Sequence, residues 1–173
     1  MARGWLRIIR RHVPVRATKR GEERTRLDRD CDVLIGGASF AGLAVARELA
    51  GSGARVLLID RYEIGERQTS ACGIPTAWLH VLGLEASVQQ TFGQLVIHTP
   101  HATVRYDLPW TFSTFDYRSL CGLLAAQGEF EFETAKVNGR TGEVVHTDRG
   151  DLRAPLIVDA LGWRRVLGAG HNI

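Results

Sequence analysis

The residues with the clearest chemical potential lie in one glycine-rich stretch and at one acid beyond it. Gly37, Ser39 and Gly42 have the spacing G-x-S-x-x-G, and Asp60 ends the next apolar run. A pyrophosphate binds well to free backbone N–H groups at a helix N-terminus, where small residues allow close approach. An acid after the following strand can accept hydrogen bonds from a ribose diol. The spacing therefore predicts a dinucleotide site.

The turn departs from the usual G-x-G-x-x-G pattern at one position, because Ser39 replaces the second glycine. Serine is small and its hydroxyl can donate to phosphate, so the pattern is weakened but not lost. Phe40 and Ala41 complete the turn and are included among the cofactor-contacting residues, with the Phe40 ring expected to point away from the ligand. A hydrolase nucleophile elbow, G-x-S-x-G, is excluded because Ala41 stands at its last glycine.

The elements that must position this turn form a strand–helix–strand unit. The short apolar run at 32–35 predicts a buried parallel strand. Residues 43–49 have helical spacing, and 55–60 is a second apolar strand. Such a unit is right-handed and places both strands in one parallel sheet.

The remaining segments predict a mixed α/β fold with a meander. In chain order we expect a loop at 61–74, a helix at 75–92 interrupted at Gly83, a hairpin of 95–99 with 103–106, and a helix from its N-cap Asp116 to Gly128. Three strand candidates follow, at 129–137, 143–147 and 152–159, with turn signals between them. Together they predict a three-stranded β-meander.

The composition is that of a globular protein: of 173 residues, 45% are hydrophobic and 24% charged. The net charge of +3 is uneven, because residues 1–29 hold ten Lys/Arg and three acids. The remainder is mildly acidic, so we expect no nucleic-acid binding by the fold. Cys31, Cys72 and Cys121 follow neither a disulfide nor a zinc pattern, which favours a cytoplasmic setting.

Two segments are expected: a flexible basic leader at 1–29 and a dinucleotide-binding domain at 30–173. Trp5, Ile8, Ile9 and Val13 fall at helical spacing in the leader, and Pro14 ends that helix. Three interpretations stay open for the leader. It is a solvated tail, an amphipathic anchor for peripheral contact with an anionic membrane surface, or a transit peptide.

The body resembles flavoprotein oxidoreductases of the para-hydroxybenzoate hydroxylase type. Residues 32–60 resemble their N-terminal FAD-binding segment, and FDYRSL at 115–120 resembles the helix start before their meander. LIVDALGWRR at 156–165 is similar to their D-A-x-G-x-x-S turn, with Arg165 in place of the serine. TSACGIP at 69–75 is similar to the S-x-C-G-like segment of the geranylgeranyl reductase branch. The resemblance implies a Rossmann-like FAD-binding β-α-β unit with a three-stranded β-meander, an incomplete copy of a larger two-domain fold.

The resemblance also implies a set of FAD contacts. Gly37, Ser39 and Gly42 would lie along the pyrophosphate, and Asp60 would hold the adenosine ribose with Arg61 beside it. The other implied positions are Val137 at adenine, Asp159 and Gly162 in a second nucleotide turn, and Cys72 and Gly73 near the flavin ring. Arg118 is a further candidate for contact with the flavin or its phosphates, the alternative being a surface arginine.

The expected activity is hydride transfer through FAD. The resemblance implies either reduction of an isoprenoid-like double bond or hydroxylation with NAD(P)H as electron donor, on a small apolar substrate. No catalytic residue is predicted, and His98 and His101 do not make a metal site. Trp78, Trp110 and Phe112 are expected to pack in the core rather than to line a substrate region.

Two alternatives stay open beside this activity. One is a non-catalytic dinucleotide-binding module that needs a partner chain. Family members carry a G-D motif beyond the turn that 156–165 resembles, and residues 166–173 contain none, so a second chain that completes the fold is among the expected partners. The other alternative is an NAD-binding domain without flavin.

Overall fold

The computed structural model describes residues 25–68, 72–163 and 165–168. The expectations for the leader therefore fall almost entirely on residues 1–24, outside the described part of the chain. The same is true of Thr69, Ser70 and Ala71 in the S-x-C-G-like segment. No helix within the described ranges has the length and hydropathy needed to span a membrane.

Three sheets and three helices make up the described chain. In chain order they are β1 (Arg29–Asp30), β2 (Val33–Gly36), α1 (Phe40–Glu48), β3 (Val56–Asp60), β4 (Gly73–Pro75), α2 (Thr76–Val81), β5 (Val88–His98), β6 (Thr103–Phe115), α3 (Tyr117–Gln127), β7 (Glu131–Thr134), β8 (Val137–Thr141), β9 (Val144–Thr147), β10 (Gly150–Arg153) and β11 (Leu156–Asp159). A short 3₁₀ turn, Glu85–Ser87, precedes β5.

The central sheet is parallel throughout, in the order β11-β2-β3-β7. Every residue of β2 is buried, as expected for a strand covered on both faces. On one face, Ile35 and Leu58 pack with α1 and α3. On the other, Leu34 and Leu57 pack against the meander. The sheet is thus the middle layer between helices and meander.

The other two sheets flank this unit. Strands β8, β9 and β10 form an antiparallel meander, and β1 pairs in parallel with β10. Strands β4, β6 and β5 form a separate antiparallel sheet, of which β5 and β6 are a long hairpin.

The expected fold class and the strand–helix–strand unit are confirmed, with α1 beginning at Phe40 rather than at residue 43. The N-cap of α3 is confirmed as well: Asp116 Oδ1 accepts a hydrogen bond from the Ser119 N–H at 2.7 Å. The helix ends at Gly128, as the sequence predicts.

The expected helix over 75–92 is wrong beyond its first turns. Gly83 has φ +67°, a left-handed conformation that ends the helix after α2. From Val88 onward the chain is strand β5, where Val88 pairs with Phe115 and Phe92 with Phe112. Cross-strand packing of these β-branched and aromatic residues outweighs the helical spacing of the segment.

The expected meander is corrected in its two outer strands. The segment 129–137 is split, because β7 joins the parallel sheet and only Val137 belongs to the meander strand β8. The segment 152–159 is split in the same way between β10 and β11. The second break is marked in the sequence by Pro155, which interrupts strands, whereas no glycine or proline marks the first.

Candidate functional site

The candidate site lies at the carboxyl edge of the parallel sheet. Strand register pairs Gly36 with both Asp159 and Ile59. The turn after β2, the acid that ends β3 and the turn after β11 are therefore neighbours. Ligands of open α/β sheets bind at this edge.

The two glycines of the first turn are required by close packing. Gly37 has φ +108°, and a Cβ there would lie 2.3 Å from the carbonyl oxygen of Ala160. A Cβ on Gly42 would lie 1.9 Å from the carbonyl oxygen of Gly37. The turn thus folds tightly onto both α1 and the turn after β11, which explains these glycines without a ligand.

The N-terminus of α1 offers a donor set that fits a pyrophosphate. The Leu43 N–H closes the first helical turn onto the Ser39 carbonyl oxygen at 3.0 Å. Ser39, the N-cap, makes no side-chain capping hydrogen bond, and the first turn contains no acid. The N–H groups of that turn therefore point out of the helix, at the positive end of its dipole. Ala41, in this turn, is exposed.

The Asp60 carboxylate is fixed on the same turn. Its Oδ2 accepts from the Ala38 N–H at 2.8 Å and its Oδ1 from the Tyr62 N–H at 3.0 Å. Each carboxylate oxygen can accept a second hydrogen bond, so the half-buried side chain can still bind a diol. Arg61 beside it is exposed, and its guanidinium lies 4.9 Å from the centre of the Tyr62 ring.

Tyr117 joins the site although it is not among the predicted cofactor contacts. Its hydroxyl donates to Ser39 Oγ at 2.9 Å. The Phe40 ring meets the Tyr117 ring edge-on, with centroids 6.5 Å apart. Phe40 is thus directed toward α3. The signal in the sequence was the place of Tyr117 in the FDYRSL segment, directly after the N-cap Asp116.

The turn after β11 is organised by Asp159. Its Oδ1 accepts from the Leu161 N–H at 3.1 Å and its Oδ2 from the Leu167 N–H at 2.8 Å. Gly162 is exposed with φ +87°, and a Cβ there would meet nothing within 4 Å. Both predicted residues of this turn therefore lie at the carboxyl edge.

Cys72 directly precedes β4, and Gly73 is the first residue of that strand. Cys72 packs against the hydrophobic cluster on the face of the parallel sheet that α1 and α3 cover. A Cβ on Gly73 would lie 2.5 Å from the Phe112 ring, so packing requires this glycine. Burial raises the pKa of the Cys72 thiol, and raises that of Cys121 to about 11. Both thiols are therefore protonated near neutral pH, unlike an activated cysteine nucleophile. Cys31 and Cys121 are buried in the two cores, as expected.

The two remaining predicted contacts are Val137 on β8 and Arg118 on α3. Val137 begins β8, and the expectation that it ends a strand is wrong. The chain leaves the parallel sheet two residues earlier, where the Asp60 carbonyl oxygen accepts from the Ala135 N–H at 2.7 Å. Arg118 is exposed on the first turn of α3, and a Cβ on Gly65 would lie 3.0 Å from its Cα.

The expectation that the tryptophans pack in the core is wrong. Trp78 is 59% exposed and Trp110 is 49% exposed. Phe112 is half-buried, with its ring centroid 6.1 Å from that of Trp110. Among the described residues no group of His, Cys, Asp and Glu is arranged to hold a metal ion.

Residues 30–113 match a protein-family model described as an FAD binding domain. A search of curated proteins gives no significant match.

Solved structures resemble the chain in fold. PqsL, "a probable FAD-dependent monooxygenase" from Pseudomonas aeruginosa, is 17% identical with a TM-score of 0.57, over 75% of this chain and 42% of PqsL. A geranylgeranyl bacteriochlorophyll reductase-like protein from Thermoplasma acidophilum is 18% identical with a TM-score of 0.63, over 83% and 44%. The flavin-dependent brominase Bmp2 is 17% identical with a TM-score of 0.63, over 79% and 39%.

The chain has the α/β FAD-binding fold of flavoprotein monooxygenases. It spans less than half the length of the three solved chains described above. At these identities the likeness shows the fold, and the reaction is a separate question.

Proposed function

We propose that this chain binds FAD as part of a flavin-dependent oxidoreductase. The observation that carries the proposal is the juxtaposition of the open N-terminus of α1 with the Asp60 carboxylate at one sheet edge. The match of residues 30–113 to an FAD binding domain supports FAD as the dinucleotide.

In this proposal the chain supplies binding and orientation. The N–H groups of the first turn of α1 bind the pyrophosphate, and Asp60 accepts hydrogen bonds from the adenosine ribose. Asp159 holds the turn after β11 in place beside them. When bound, FAD would supply the hydride-transfer chemistry.

The proposed reaction is reduction of an isoprenoid-like double bond or an NAD(P)H-dependent hydroxylation. Support is divided, because one structural neighbour is described as a monooxygenase and another as reductase-like. The exposed indoles of Trp78 and Trp110 support a small apolar substrate.

The test is retention of FAD by the purified chain. We expect flavin absorption bands to remain after gel filtration, and Asp60→Ala to weaken FAD binding about tenfold or more, since it removes charge-assisted hydrogen bonds. Asp32→Ala is the matched control. Asp32 also accepts a main-chain N–H, from Arg55 at 2.8 Å, but precedes β2 at the opposite end of the sheet.

Three results would contradict the proposal. These are a folded chain that retains no FAD, equal losses in the two aspartate variants, and retention of NAD in preference to FAD. The last result would favour the flavin-free alternative.

A second candidate function is a binding module that needs a partner chain. It is favoured by the apolar face of the β5–β6 hairpin, which the described residues leave exposed at Leu95, Ile97 and Tyr106. Isolated chain that binds FAD but transfers no electrons from NAD(P)H would favour this candidate.

A further inference from the structure

The hydroxyl of Ser39 has an unusual partner for an N-cap serine. N-cap serines ordinarily accept a hydrogen bond from an N–H of the first helical turn. Ser39 makes no such bond. Its Oγ instead accepts from the Tyr117 hydroxyl at 2.9 Å, from a helix that begins 78 residues later.

The Tyr117 donor is held firmly in place. The residue is only 7% exposed, and its ring packs edge-on against Phe40. It is the first residue of α3, directly after an N-cap whose own hydrogen bond to Ser119 is formed. The position of the Tyr117 hydroxyl oxygen is thus set by the packing of α3 against α1.

The hydrogen bond from Tyr117 determines which further hydrogen bonds the Ser39 hydroxyl can make. A hydroxyl has one proton and two acceptor lone pairs. With a lone pair of Ser39 Oγ occupied by the tyrosine proton, the serine proton is directed away from Tyr117. Ser39 is half-buried at the carboxyl edge, so that proton is available to an anion bound at the N-terminus of α1.

We propose that Tyr117 is a positioning residue that orients the Ser39 hydroxyl to donate to the pyrophosphate of the bound dinucleotide. This inference rests on the proposed function. In the usual pattern, the second glycine allows the backbone to approach the phosphates. In this chain the Ser39 hydroxyl supplies a donor at that position. Hydrogen bonds in series strengthen one another, so the tyrosine makes the serine a better donor.

The experiment is a double-mutant cycle on FAD affinity, followed by flavin fluorescence with the full chain. The variants are Ser39→Ala, Tyr117→Phe and the double variant. We expect Ser39→Ala to weaken FAD binding about tenfold and Tyr117→Phe about fivefold, because a hydrogen bond to a charged group is lost or misaligned. In the Ser39→Ala background, Tyr117→Phe should have no further effect.

Two measurements separate positioning from a structural role. Tyr106→Phe removes a tyrosine hydroxyl from the exposed hairpin and should leave FAD affinity unchanged. The ³¹P resonances of bound FAD should shift in Tyr117→Phe and in Ser39→Ala, but not in Tyr106→Phe. A purely structural tyrosine would not be expected to move them selectively.

The outcomes distinguish this inference from the proposed function. If the unmodified chain binds FAD but Tyr117→Phe binds it equally well, the positioning role is overturned and the FAD site stands. Equal losses from Tyr117→Phe with and without Ser39 would also overturn it, because the tyrosine would then act independently of the serine. If the unmodified chain binds no FAD, both fail.

Discussion

At the scale of single residues, the turn between β2 and α1 leaves no room for a side chain at Gly37 or at Gly42. The Cβ of an alanine at position 42 would lie 1.9 Å from the Gly37 carbonyl oxygen, which is backbone and cannot rotate away. We expect Gly42→Ala to lower the free energy of unfolding by about 3 kcal/mol, at the upper end of overpacking effects. Urea unfolding followed by circular dichroism measures this.

Gly122→Ala is the control for that substitution. Gly122 lies within α3, and a Cβ there would meet nothing within 4 Å. Alanine is the better helix former, so this variant should be more stable by about 0.5–1 kcal/mol. A Gly42→Ala chain as stable as the unmodified one would show that the turn can open.

The sequence predicted this turn because its motif lies within one short stretch of the chain. Gly37, Gly42 and Asp60 follow from spacing within a single strand–helix–strand unit. The Ser39–Tyr117 hydrogen bond could not be predicted in the same way, since it depends on how α3 packs against α1. The exposure of Trp78 was missed because large apolar side chains are usually buried.

At the scale of elements, the buried Arg149 joins three segments. Its guanidinium donates to Glu133 Oε2 at 2.9 Å, to the Thr134 carbonyl oxygen at 2.7 Å and to the Thr25 carbonyl oxygen at 2.9 Å. It therefore links the turn between β9 and β10 with β7 and with the chain ahead of β1. The side chain is 3% exposed, so these contacts are shielded from water.

We expect Arg149→Ala to lower the free energy of unfolding by about 3 kcal/mol, because it leaves Glu133 without its buried cation. Arg55→Ala should cost much less, since its partner Asp32 is exposed. Thermal unfolding of the two variants compares them. Replacing Arg149 and Glu133 together by Met and Leu should recover much of the loss; no recovery would contradict this account.

Element boundaries were predictable where a cap or a glycine marks them, as at Asp116 and Gly128. They were harder to predict where one segment serves two sheets, as 129–137 and 152–159 do. Pro155 marks the break in the second segment, but no glycine or proline marks the break in the first, where glutamates alternate with phenylalanines. In the first segment, the earlier residues pair with β3 and Val137 pairs with β9. In the second segment, the earlier residues pair with β9 and the later ones with β2. These pairings define where each strand breaks.

At the scale of the whole molecule, the β5–β6 hairpin has one apolar and one polar face. Leu95 pairs with Tyr106 and Ile97 with Val104, and all four are exposed. The opposite face is polar: Gln94 Nε2 donates to Asp107 Oδ1 at 2.7 Å. An apolar face left in water by the described residues favours association.

We expect the isolated chain to self-associate through this face, and Ile97→Lys to shift it toward monomer. Sedimentation velocity at several concentrations measures the change. Gln94→Lys places the same charge on the polar face and should leave the association unchanged. Monomeric behaviour of the unmodified chain, or equal effects from the two lysine substitutions, would contradict the prediction that the apolar face of the hairpin mediates association.

The parallel pairing of β11 with β2 also sets the order of events during synthesis. The chain just before β2 hydrogen-bonds to the end of β10, through Cys31 Sγ and the Arg153 carbonyl oxygen. These two residues are separated by 122 positions in the sequence. At ~10 residues per second, the ribosome needs about 12 s to cover such an interval. During that time the glycine turn lacks Ala160, the neighbour that fixes Gly37. The nucleotide site can therefore be completed only after β11 has been synthesised, so a nascent chain that ends before β11 has an incomplete site.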